Sequence, residues 1–157
     1  MAAPTADGGV RVDDQVRMAF HADIETLKAR LVQDPTNAVI LLELARKYHD
    51  GHKVADAVPY YRDYLALEPS DEQTWLDLVN ALAELEQWED AESVTRQLLN
   101  INPHNVSALY NLGAIRANLG DYTEARRLWE QVRDDRSNTN VASQAQAALT
   151  RLATIAS

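Results

Sequence analysis

Cysteine is absent from this chain of 157 residues, which excludes disulfides, a thiolate zinc site and a thiol nucleophile. Glycine and proline number five each, too few for an all-β fold that must turn many times. Basic residues are outnumbered, 15 Lys and Arg against 24 Asp and Glu, for a formal charge of −9. That balance argues against a nucleic-acid binder, which needs a basic face to release counterions. No apolar run approaches the roughly 18 residues of a membrane span. The start, Met1 to Gly9, lacks the apolar core of a signal peptide. What remains is an ordinary globular composition, 46% hydrophobic and 25% charged, dominated by Ala, Leu and Glu. An all-helical chain of one domain follows.

The organisation is periodic. Pro35, Pro69 and Pro103 recur every 34 residues. Two residues beyond them stand Asn37, Asp71 and Asn105, with Thr139 one period further, all suited to cap a helix start. Ala57, Ala91 and Ala125 keep the same spacing, as do Leu44, Leu78 and Leu112, and the bulky Leu41, Trp75 and Leu109. A fixed period of this length marks stacked supersecondary units.

The pattern resembles the tetratricopeptide repeat (TPR). Its positions read Leu41, Leu44, Ala45, Tyr48, Ala57, Tyr61, Pro69 in the first unit and Trp75, Leu78, Val79, Leu82, Ala91, Thr95, Pro103 in the second. The third reads Leu109, Leu112, Gly113, Ala125, Trp129, and departs at Arg116, where an aromatic is usual, and at Ser137, in place of proline. The resemblance implies an all-α fold, a right-handed superhelix (α-solenoid) of antiparallel helix pairs. The repeats then span 38–71, 72–105 and 106–139. A flexible tail over 1–12 and a degenerate half-repeat helix over 13–37 precede them, and a capping helix over 140–157 follows.

The physics of such a unit accounts for the residue types. Neither helix of a pair can bury its apolar stripe alone. Small residues at 45, 79 and 113, with Ala57, Ala91 and Ala125, let the two backbones approach, and proline ends the second helix because it has no N–H. Pro59 falls inside a second helix, where it is tolerated in the first turns or as a mild kink. The half-repeat helix places Phe20, Ile24, Leu27 and Leu31 on one face, with Asp23 at the usual alanine position. The last helix does the same with Val141, Ala145, Ala148, Leu149, Leu152 and Ile155.

Catalytic chemistry finds no support in the motifs. His49 and His52 are the only close histidine pair, and they fall in the turn of the first unit with no third ligand in view. His21 and His104 read as surface positions, and Asn105-Val106-Ser107 as a helix start rather than a glycosylation acceptor. There is no phosphate loop and no nucleophile elbow. Neither enzyme activity, metal nor cofactor is expected.

By resemblance, a partner binds on the inner wall, which is lined by the first helix of each unit. The inward candidates are Leu42, Arg46 and His49 in the first unit, Gln73, Leu76, Asp77, Asn80 and Glu84 in the second, and Tyr110, Asn111, Ala114 and Asn118 in the third. Leu42, Leu76 and Tyr110 form an apolar row, and aligned exposed apolar residues mark interaction sites. The clamp with which some TPR domains hold the terminal carboxylate of heat-shock chaperones is missing: its five positions carry Leu42, Arg46, Asp77, Ser107 and Asn111. Residues 72–105 hold seven acids and one base, and the inward Asp77 and Glu84 favour a ligand with a basic residue.

The expected function is a non-enzymatic scaffold binding a peptide segment of a partner protein, as a monomer or weak homo-oligomer. Neither nucleic acid nor direct membrane insertion is expected. The third unit is similar to compact TPR modules of bacterial envelope and cytochrome c assembly proteins. That likeness implies an assembly or chaperone-adaptor role, as a soluble cytoplasmic or periplasmic protein or a fragment of a membrane-anchored parent. The alternative is a structural protein self-assembling through its terminal helices.

Overall fold

The computed structural model describes residues 12–155, and all of its regular elements are α-helices. They are α1 (Val12–Gln33), α2 (Ala38–Asp50), α3 (Val54–Leu67), α4 (Glu72–Glu84), α5 (Trp88–Ile101), α6 (Val106–Asn118), α7 (Tyr122–Asp134) and α8 (Thr139–Ile155). Each packs on its neighbours in the chain, so the molecule is an all-α superhelix with local contacts throughout. The tail expected over 1–12 lies outside the described residues, except for Val12, which opens α1.

Local chemistry sets the starts and stops. Asn37 accepts from the Ile40 N–H at 3.1 Å, Asp71 from Thr74 at 3.2 Å and Asn105 from Ala108 at 2.9 Å. At the fourth start the cap moves back by one residue. There Asn138, rather than the expected Thr139, accepts from the Val141 N–H at 3.2 Å. Asparagine is the better cap, and a one-residue shift suffices to use it. The turn inside each pair holds a left-handed residue at one repeat position: His52 and Glu86, both φ 56°, and Gly120, φ 84°. Glycine alone adopts that conformation without crowding by a Cβ. Pro59 lies in the second turn of α3, which continues to Leu67. Pro59 leaves the Ala55 carbonyl without its helical N–H, and both residues lie on the exposed side of α3.

The periodic apolar positions make the core: Leu41, Leu44, Ala45, Ala57, Trp75, Leu78, Val79, Ala91, Leu109, Leu112 and Ala125 are all buried. On α1, Ile24 and Leu27 are buried, with Phe20 and Leu31 packed beside them. Asp23 stays exposed and meets Lys47 at 2.8 Å, which explains why an acid is tolerated at an alanine position. The core divides within α6. Ala108 and Ile115 belong to the cluster running back to α1, whereas Leu109 and Leu112 join α7 and α8.

Size is matched across each helix pair. The same two repeat positions hold Ala45 and Tyr61, Val79 and Thr95, Gly113 and Trp129. A Cβ on Gly113 would stand 2.5 Å from the Trp129 Nε1, so the largest side chain needs the smallest partner. On α8 the positions equivalent to Leu109, Leu112, Gly113 and Arg116 are Ser143, Gln146, Ala147 and Thr150, all exposed. That face is polar where the earlier units are apolar.

Candidate peptide-binding groove

The first helix of each pair, α2, α4 and α6, forms one wall, and α8 extends it. The row Leu42, Leu76 and Tyr110 is half-buried, each side chain packed at the margin of the core with one side free. Gln73, Leu76, Asn80, Tyr110 and Asn111 converge on a cavity of about 260 Å³, completed by Ser107 and by Val141 and Gln144 of α8. A second cavity, about 410 Å³, brings Tyr110, Ala114 and Asn118 together with Trp129, Ala148 and Arg151. Tyr110 borders both, so they form one trough across α4, α6 and α8. Leu42 and Arg46 border a separate depression of about 500 Å³ with Val39 and Glu43.

His49, Asp77 and Glu84 line none of these three cavities, and each is held by neighbours. The Gln73 amide donates to Asp77 at 2.9 Å, and an Arg46 nitrogen lies 3.8 Å from the other Asp77 oxygen. His49 lies in the last turn of α2 rather than in the interhelix turn, where only His52 is found. Its Nε2 is 3.0 Å from Glu84 and its Nδ1 is 3.1 Å from the Tyr61 hydroxyl. Neutral His49 thus donates to Glu84 from Nε2 and accepts from Tyr61 at Nδ1. Burial, reinforced by Asp77, pushes the Tyr61 hydroxyl up to about 12. Among the described residues no three of His, Asp and Glu lie together as a metal site would require.

These contacts explain the acidity of the middle unit. Asp77 faces Arg46, Glu84 faces His49, and Asp90 lies 3.8 Å from Arg62, all three partners preceding it in the stack. Glu92 accepts from Arg116, which follows it, at 2.6 Å. Glu72 accepts from the side chains of Asn102, at 2.9 Å, and Asn105, at 2.6 Å. Asp77, Glu84, Asp90 and Glu92 therefore tie this unit to both of its neighbours, whereas Glu72 is held within it.

Sequence reasoning missed the contribution of α8. Read as a cap, it offers no site residues, yet Val141, Gln144, Ala148, Arg151 and Leu152 all line the trough. The signal was present. Extending the 34-residue register past Thr139 puts these five at the inward positions of a fourth first helix. Trp129 also lines the trough while serving the core, its Nε1 donating to the Tyr110 carbonyl at 3.1 Å.

A family model, the cilia and flagella-associated protein 70 middle TPR-like domain, matches residues 41–157. The chain belongs to this TPR family. No curated protein matches it in sequence. Among solved structures, the crystal structure of MamA is 20% identical with a TM-score of 0.67, over 93% of this chain and 90% of that one. The first TPR of Spaghetti (RPAP3), solved with the HSP90 peptide SRMEEVD, is 24% identical with a TM-score of 0.66, over 79% of this chain and 97% of that one. YrrB, described as a TPR protein with an unusual peptide-binding site, is 17% identical with a TM-score of 0.69, over 84% and 68%. At these identities the likeness establishes the fold, the TPR superhelix.

Proposed function

We propose that this TPR protein is a non-enzymatic interaction scaffold that holds a peptide segment of a partner in the trough across α4, α6 and α8. The observation carrying this reading is the convergence of inward residues from three successive wall helices on two cavities joined at Tyr110. Of the repeats at 38–71, 72–105 and 106–139, the second supplies α4 and the third α6, and the C-terminal segment at 140–157 supplies most of α8. Asn80 and Asn111 make no side-chain hydrogen bond among the described residues, leaving donor and acceptor for a peptide backbone. Asp77 and Glu84 can take a basic ligand residue only by exchange with Arg46 and His49. Among the described residues no helix is long and apolar enough to cross a membrane. An assembly or chaperone-adaptor role fits a scaffold that presents one segment of its partner.

The test compares wild type with a Leu76→Glu, Tyr110→Glu variant, its folding checked by circular dichroism, in capture from a lysate of the cells that make the protein. A partner retained by wild type and lost by the variant supports the trough. Equal capture by both overturns it. A second reading, self-assembly, rests on α1, whose apolar stripe runs on from Phe20 to Val16 and Val12, both exposed. A mass that rises with concentration, and falls back to monomer in Val16→Asp, would favour it.

A further inference from the structure

The two cavities of the trough differ in charge from the depression beside α2. In a chain of net charge −9, no acidic residue lines either one. Their single charged residue is Arg151, on the exposed side of α8. Arg46, in the depression beside α2, shares its surroundings with Glu43, Asp50 and Glu68 and faces Asp77. Arg151 has no ion pair with any described residue. Beside it the wall is cut back to alanine at Ala114, Ala117 and Ala148, which opens about 410 Å³ against the rings of Tyr110, Trp129 and Tyr122. An arginine beside an apolar hollow, with no carboxylate of its own, is complementary to a carboxylate adjoining an apolar side chain.

We infer that the α6–α8 end of the trough selects an internal acidic segment of a partner protein. An aliphatic or aromatic side chain of that segment fills the alanine-walled hollow, and an adjoining Asp or Glu pairs with Arg151. The inference rests on the proposed peptide-binding reading and reverses the charge preference drawn from Asp77 and Glu84. Those acids lie outside the two cavities and are held by Arg46 and His49, so the charge left for a ligand at the α6–α8 end is that of Arg151.

The test selects peptides from a displayed random library on wild-type protein, then measures affinities of the selected peptides by fluorescence anisotropy. Selected peptides should carry Asp or Glu next to an apolar residue. Arg151→Glu should weaken them about tenfold, as expected for a lost charge-assisted bond, and Arg151→Lys should recover part of the loss. Ala114→Leu should weaken them by filling the hollow while leaving the acidic preference in fresh selections intact. Capping the peptide C terminus as an amide should change nothing, because the carboxylate is a side chain. Selected peptides without acids, or with unchanged affinity for folded Arg151→Glu, overturn this inference while leaving the groove reading in place. A dependence on the free C terminus overturns the internal segment. Peptides that bind Leu76→Glu, Tyr110→Glu as tightly as wild type overturn the groove reading itself.

Discussion

The two halves of the inner wall are built on one register and present opposite chemistry. Across α2 and α4 the inward row includes Arg46, His49, Asp77 and Glu84, which pair as Arg46 with Asp77 and His49 with Glu84. Across α6 and α8 the same positions hold Ala114, Ala117, Asn118 and Ala148, and the one charge, Arg151, has no ion pair among the described residues. The first half therefore uses these charged groups to hold two units together, whereas the second leaves space and a cation with no ion pair among the described residues. A repeat position dictates where a side chain points. What it touches depends on the length and charge of its neighbours in adjacent units.

The largest effect should come from the floor of the open half. Trp129→Ala removes a buried indole that both fills the third unit and walls the hollow, and should cost about 3–5 kcal/mol in denaturant unfolding. A stability loss well below that range would show that the third unit does not depend on the matched Gly113 and Trp129 pair.

Gly113→Ala probes the same contact from the other helix. The added Cβ would meet the indole at 2.5 Å and press against the side chain that donates to Tyr110. Alanine's helix preference, about 1 kcal/mol, works against a clash of about 1–3 kcal/mol, so the melting temperature should fall. A rise would mean that Trp129 yields easily and that the hollow is soft.

In the charged half, Tyr61→Phe removes the hydroxyl that His49 accepts and should cost about 1 kcal/mol at neutral pH. Its titration gives a second readout. The folded hydroxyl, pushed up to about 12 from the ordinary 10.0, holds its proton where the unfolded chain has lost it. Stability from this residue is thus complete below pH 10 and is lost as pH rises towards 12. Tyr61→Phe should flatten that part of the alkaline melting curve. An unchanged curve would leave Tyr61 no part in it.

The smallest effect is expected for Arg46→Ala. Its pair with Asp77 is 3.8 Å long and Arg46 is half exposed, so the loss should stay below about 1 kcal/mol and shrink further in high salt. A larger, salt-insensitive loss would make the charged half a structural lock rather than a weak registration of two units.

The fold was legible because its determinants are local and repeated. Caps at Asn37, Asp71 and Asn105, the small residues at 45, 79 and 113 and the leucine ladder act within one unit or between neighbours, so a 34-residue period carries them all. The apolar row Leu42, Leu76 and Tyr110 was legible for the same reason. Pairing was not. Nothing in the spacing says that Asp77 is faced by Arg46, that His49 joins Tyr61 to Glu84, or that Glu92 takes Arg116. Those contacts cross between units, and their lengths depend on how each helix pair tilts against the next. Nor does spacing say that Arg151 has no ion pair among the described residues while Arg46 has one. Charge complementarity is a property of three-dimensional neighbours, and only stacking the units decides which charges remain for a ligand.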